Sequence, residues 1–154
     1  MKKILLILVL SGFIISCSAN KPMDTKSAAI SIDVIQNEFI GTTWKLSQYI
    51  VDGKLKDVTN TSKADLKFEL EKFYGDASVN RYFGNYTLNN NEVTMGRIGS
   101  TMMMGPKDAM NQEYAFISLL EKVTSYEIVG EKLNLLSNGE VILVLTAVEE
   151  IEKK

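Results

Sequence analysis

Along most of the chain apolar and polar residues alternate with period two, the spacing of a strand with one buried face. Residues 43–50 alternate around Trp44 and Leu46, and Asp52-Gly53 supplies a two-residue hairpin turn before a second strand over 54–59. Leu66, Phe68 and Leu70 recur at every second position until Glu71-Lys72 interrupts them. Residues 73–77 and 82–88 read as strands on either side of Asn80-Arg81, and Asn89-Asn90-Asn91 turns the chain into a short strand over 93–95. Strands over 126–129, 132–136 and 140–148 close the pattern, with Gly130 and Ser137-Asn138-Gly139 in their turns.

The period changes once. Gly105-Pro106 marks a helix start, since proline fits the first helical position, where its missing N–H would be unpaired anyway. Asp108 suits the positive end of the helix dipole. Ala109, Glu113, Phe116, Leu120 and Val123 then follow at steps of four and three, with Met110, Tyr114 and Ile117 alongside, which is one face packed on a sheet. The expected class is α+β: a strand-rich antiparallel sheet or partly open barrel packed by one long helix, about 106–122.

The first residues follow a different rule. Lys2 and Lys3 precede an apolar stretch over 4–15, broken only by Ser11 and Gly12 and too short to span a bilayer. It ends in Ile14-Ile15-Ser16-Cys17, the kind of site that a bacterial lipoprotein signal peptidase recognises. The expected organisation is a signal peptide over 1–16, an acylated Cys17 with a polar tether over 17–38, a domain over 39–148 and a charged tail over 149–154. An ordinary secretory cleavage near Ser18-Ala19-Asn20, discarding Cys17, is the competing reading. Ser18 stands where an aspartate would mark inner-membrane retention, so the expected location is the outer membrane of a two-membrane envelope, facing the periplasm. The three acyl chains of a mature lipoprotein make such attachment permanent, because each buried CH₂ contributes about 0.8 kcal/mol.

Composition narrows the chemistry. Loss of residues 1–16 removes Lys2 and Lys3 but no acid, so 17 basic residues become 15 against 19 acidic ones, a net charge of −4. A mildly acidic surface without a basic run offers no footprint for nucleic acid. The chain has no histidine and a single cysteine. Serine–histidine and cysteine–histidine catalysis are thereby excluded, as are zinc sites of the usual Cys/His type. Carboxylate, lysine and tyrosine chemistry remain, and no cofactor or metal is expected.

Three segments form a more specific constellation: Gly41-Thr42-Thr43-Trp44-Lys45-Leu46, Asn80-Arg81-Tyr82-Phe83-Gly84-Asn85-Tyr86, and Thr101-Met102-Met103-Met104-Gly105-Pro106 followed by Met110, Glu113 and Phe116. In this order they resemble the META domain, or HslJ-like, family. The resemblance implies a strand-rich α+β domain with one long helix, found in envelope proteins associated with stress and drug tolerance, and implies no established reaction. Many relatives carry Gly-Cys before the Asn-Arg and a second cysteine after the Thr-x-Met, whereas Ser78-Val79 and Met104-Gly105 stand here. A thiol role in relatives therefore does not transfer.

Taken alone, the residues of the constellation admit structural and functional readings. Trp44 is a core anchor. Gly84 permits a close approach that a Cβ would block. Asn80 closes a turn through its amide. Arg81, beside apolar Tyr82 and Phe83, is expected to pair with Glu113 on the helix, or else to bind a ligand. Met102, Met103 and Met104 plug an irregular part of the core or line an apolar site. The expected function is non-catalytic: a membrane-anchored, monomeric envelope protein that binds a partner. The alternatives are an apolar small-molecule or lipid binder with a Met-lined pocket, and a hydrolase using Asp76 or Glu113. An enclosed cavity at the methionines would favour the former, and two carboxylates converging in an open cleft the latter.

Overall fold

The structure, a computed structural model, describes residues 39–59 and 62–148. The signal peptide, Cys17, the tether and the charged tail expected from the sequence lie outside the described residues. Ten strands and one helix follow in the order β1 (Thr43–Val51), β2 (Lys54–Asp57), β3 (Asp65–Glu69), β4 (Lys72–Asp76), β5 (Arg81–Asn89), β6 (Glu92–Met95), β7 (Gly99–Ser100), α1 (Lys107–Leu120), β8 (Ser125–Val129), β9 (Lys132–Ser137) and β10 (Glu140–Val148). This is the expected α+β class, with one helix packed on an antiparallel sheet.

The strands run β10-β9-β8-β6-β5-β4-β3-β1-β2, and β1 also pairs with β10, so the sheet closes into a ring from which β2 extends. β1 can serve three neighbours because it is long: Thr43 to Lys45 face β3, Gln48 to Val51 face β2, and the other edge runs along β10. The thinnest junction is β6 with β8, where the register holds one pair, Glu92 with Ser125. Two backbone bonds reinforce it, from Val93 to Thr124 and from Tyr126 to Asn91, each 3.0 Å.

Local chemistry accounts for the hairpins. Asp52 and Gly53 both have positive φ, 51° and 71°, as do Asn138 and Gly139, 50° and 87°. Positive φ at both central residues twists a two-residue loop in the sense its flanking strands require, and Asp, Asn and Gly enter that region most cheaply. Leu70, expected to continue the alternation of β3, instead lies in the turn before β4 and is exposed. The short β7 carries too few residues to show any period.

Inside the ring the apolar faces meet in an aromatic column. Phe39 stacks between Phe68 and Tyr126, with ring centroids 4.0 and 4.1 Å away. Phe68 continues to Phe73, Phe73 to Tyr82, and Tyr82 meets Phe116 of α1 edge-on at 5.6 Å. Trp44 is 2 % exposed, as expected of a core anchor, and its indole N–H donates to the Phe39 carbonyl. The helix is shorter than the sequence pattern suggests. Pro106 precedes it as the N-cap residue with ψ 139°, not as the first helical residue, and Lys122 and Val123 fold back through three-residue bonds at the other end. Its buried face holds Gln112, Phe116, Leu119 and Leu120, so the stripe is turned about one residue from the one centred on Glu113.

Candidate functional site

Every other β-hairpin among the described residues turns in two residues, but β4 and β5 are joined by residues 77–80, and this longer connection is held by the helix. Ser78 has φ 105°, the region where glycine rests and a Cβ is strained. Its amide donates to the Asp76 carboxylate at 2.9 Å, which ties the turn to its own beginning. The next two amides, of Val79 and Asn80, converge on one oxygen of Glu113, at 3.0 and 2.7 Å. The other Glu113 oxygen accepts from the Asn80 side-chain amide at 2.7 Å.

Asn80 is only 3 % exposed, and its side chain uses every hydrogen-bonding position it has. Its carbonyl oxygen accepts from the Thr101 hydroxyl (2.8 Å) and the Met103 amide (2.6 Å), and its NH₂ donates to the Met103 carbonyl and to Glu113. Three segments remote in sequence are thus tied by one buried amide. A buried polar group left unpaired costs about 1–3 kcal/mol, so this network defines the geometry of the loop.

A second knot lies one residue along the helix. Gln112, 2 % exposed, donates to the hydroxyls of Ser62 (2.6 Å) and Ser78 (3.1 Å) and accepts from the amide and hydroxyl of Thr59, both 3.3 Å. The sequence reading missed Gln112. Its position was the available signal, since it stands four residues before Phe116 and eight before Leu120, on the buried stripe itself.

The expected Arg81–Glu113 pair does not form. Residues in β5 alternate, with Tyr82, Gly84 and Tyr86 turned inward and Arg81, Phe83 and Asn85 outward, so Arg81 points away from the helix. Glu113 is held by Val79 and Asn80 instead. The Arg81 guanidinium is exposed and makes no hydrogen bond or ion pair among the described residues. The methionines also depart from expectation. Met102, Met103 and Met104 are 96 %, 56 % and 88 % exposed, so they neither plug the core nor enclose an apolar pocket. Gly84 does what the sequence suggests: a Cβ there would lie 2.5 Å from the Phe73 ring.

Outward from β3, β4 and β5 lies an open cleft of about 460 Å³ bounded by Asp65, Lys67, Tyr74, Asp76, Arg81 and Phe83. Phe83 is 64 % exposed and sits opposite Tyr74 in the register, while Arg81 sits opposite Asp76. Burial raises the Asp65 carboxyl above its ordinary pKa; the Asp76 charge adds to the rise, and the Asp76 amide and the Arg81 charge oppose it. Burial also pushes the Tyr82 phenol well above its ordinary value, with the Asp65 and Asp76 charges acting in the same direction. Tyr82 therefore stays protonated and donates to the Asp65 backbone carbonyl at 2.7 Å. Asp65 and Asp76 share the cleft, but each has an oxygen engaged by a backbone amide, of Asp76 and Ser78 respectively. A larger open depression of about 740 Å³ lies around Leu70, Glu71 and Tyr86 and takes in only the end of the motif, Asn85 and Tyr86. Among the described residues no group of three or more acidic or cysteine side chains is placed to hold a metal ion, and no helix is long and apolar enough to cross a membrane.

A ring of antiparallel strands with one helix tied to its β4–β5 connection defines the structural class. The META domain family model matches residues 37–149, and the chain belongs to that family. Among solved structures, the NMR structure of a protein from Burkholderia xenovorans is similar with a TM-score of 0.62 at 20 % identity, covering 75 % of this chain and 88 % of that one. A second NMR structure has a TM-score of 0.54 at 19 % identity, covering 71 % of this chain and 92 % of the other. At these identities the likeness is one of fold. No curated protein matches the sequence.

Proposed function

We propose that this META domain protein is a lipid-anchored component of a bacterial envelope that acts by binding and not by catalysis, with the cleft beside Arg81 and Phe83 as its contact face. The observation that carries this reading is the division of labour in residues 80–83. Asn80 spends all its hydrogen bonds inside the protein, whereas Arg81 and Phe83 present a guanidinium and an aromatic ring to solvent beside Asp76 and Tyr74. Arginine and aromatic residues are the side chains enriched where binding energy concentrates. A role in stress or drug tolerance belongs to the same proposal and rests on the family resemblance.

The rival readings have less support. The exposure of Met102, Met103 and Met104 speaks against a Met-lined pocket for apolar molecules. Glu113 already accepts three hydrogen bonds, and Asp65 and Asp76 both brace backbone amides, so a free general base is wanting for a carboxylate hydrolase. Anchoring at Cys17, outer-membrane attachment and a monomeric state complete the proposal.

Cross-linking and pull-down from intact envelopes test it. The wild-type chain is expected to recover a partner that Arg81→Gln and Phe83→Ala do not, with both variants folded. Cys17→Ser is expected to lose the mass of the acyl chains and release the protein from membranes. Partner recovery that ignores both cleft variants removes the cleft from the proposal. A wild-type product without acyl mass removes the anchor.

A further inference from the structure

The methionine segment is exposed yet held in place, and alternate residues play opposite parts. Thr101 donates its amide to the Arg81 carbonyl at 3.0 Å and its hydroxyl to Asn80. Met103 gives both its amide and its carbonyl to the Asn80 side chain. Gly105 lies so close to Val79 that a Cβ would approach the valine methyls to 2.7 Å. Residues 101, 103 and 105 are therefore fixed, and the side chains between them, Met102 and Met104, are 96 % and 88 % exposed.

The N–H and C=O of Met103 both reach one side-chain amide, an arrangement that an extended residue allows. In an extended chain the residues before and after it share a face, with Cα atoms separated by about 6.6 Å at the usual rise per residue. Met102 and Met104 thus flank a pinned residue, with both thioether side chains in solvent. Two large apolar side chains in full contact with water contribute nothing to the core, so packing does not account for them. Their distinctive chemistry is the sulfur. Thioethers are soft, neutral ligands that select soft monovalent cations such as Cu(I) over hard divalent ones.

We propose that Met102 and Met104 form a two-thioether site for a soft monovalent cation, Cu(I) or its analogue Ag(I). Such ions accept linear coordination by two sulfurs. At a metal–sulfur distance of about 2.3 Å, as for zinc thiolates, the two sulfurs would stand about 4.6 Å apart, a span that flexible side chains on Cα atoms separated by about 6.6 Å readily close. The clamped backbone removes much of the ordering cost of binding. Among the described residues the remaining methionines are placed less well: Met110 already accepts a hydrogen bond from the Gly105 amide through its sulfur, and Met95 is half-buried. With no histidine in the chain and Cys17 replaced, no stronger soft ligand competes.

The test is titration of the full chain carrying Cys17→Ser, in mild detergent and chloride-free buffer, with silver nitrate, following the methionine methyl signals by NMR. One equivalent is expected to shift the Met102 and Met104 methyls and leave those of Met95 and Met110 in place. Met102→Leu with Met104→Leu, which keeps apolar size, is expected to weaken silver binding at least about tenfold, while Met103→Leu changes it less than about threefold. Competition with a Cu(I) chelator under anaerobic conditions is expected to give the same order. Circular dichroism confirms that the variants are folded. Shifts centred on Met95 or Met110, binding unchanged in the double variant, or no binding at one equivalent would each overturn the site.

Discussion

Asn80 and Arg81 are neighbours in sequence and opposites in the structure. Asn80 lies under the surface with every polar atom bonded, and Arg81 stands in solvent with its guanidinium unbonded among the described residues. The contrast extends along β5, whose inward residues Tyr82, Gly84 and Tyr86 meet the aromatic column while Phe83 and Asn85 face out. Asn80, the last residue before β5, and Arg81 and Phe83 within it are thus the most constrained and the most available side chains of residues 80–86. A polar motif can be essential for structure on one face and open to a partner on the other.

The sharpest way to break the contrast is to load the inward face with charge. Asn80→Asp places a second carboxylate against Glu113, and is expected to cost about 3–5 kcal/mol at neutral pH. Urea denaturation measures this, and a loss below about 1 kcal/mol would mean that the network yields easily. Two smaller changes on the same face follow. Gly84→Ala forces the Phe73 ring aside and is expected to cost about 2 kcal/mol. Glu113→Gln offers one acceptor oxygen where three N–H donors converge on two, so about 2 kcal/mol should be lost by the same measurement.

The outward face should respond differently. Arg81→Gln is expected to change stability by less than about 0.5 kcal/mol, and its effect should add to that of Glu113→Gln without coupling. A coupling above about 1 kcal/mol in that double-mutant cycle would show that the two side chains do meet in solution.

Asp65 sharpens the picture through pH. Its folded pKa lies above the ordinary value of 3.8, so between that value and the folded pKa the folded protein holds a proton that the unfolded chain has released. Stability contributed by this group is therefore present at low pH and declines as pH rises through the folded pKa. Asp65→Asn keeps an acceptor for the Asp76 amide and removes the titration. Its urea midpoint should exceed that of the wild type by more at pH 7 than at about pH 4, with the difference settling above the folded pKa.

Much of this was legible in residue order. Five hairpins close on two residues, and the sequence reading placed the turns at Asp52-Gly53, Asn90, Gly130 and Asn138-Gly139 from turn chemistry alone. Trp44 and the helix followed from periodicity, though the buried stripe is turned about one residue from the expected one. The orientation of Arg81 was legible too, though it was misread. If Tyr82 and Tyr86 face the core, Arg81 cannot, and the residue of like parity that meets Glu113 must be Asn80. Leu70 failed for another reason: a two-residue turn at 70–71 ends the alternation, and neither residue is a strong turn former.

The sequence by itself determined the strands, most of their turns, the helix before β8 and the lack of histidine and cysteine in residues 39–148, because these depend on local backbone preference, two short periods and composition. Only the tertiary structure decided that Asn80 joins Thr101, Met103 and Glu113, that Gln112 gathers Thr59, Ser62 and Ser78, and that three consecutive methionines stand in water. Hydrogen bonding and burial are properties of groups brought together from distant parts of the chain. Asn80 binds both the amide and the carbonyl of Met103, so the backbone there is pinned by a residue 23 positions away, and the side chains of Met102 and Met104 stand in solvent.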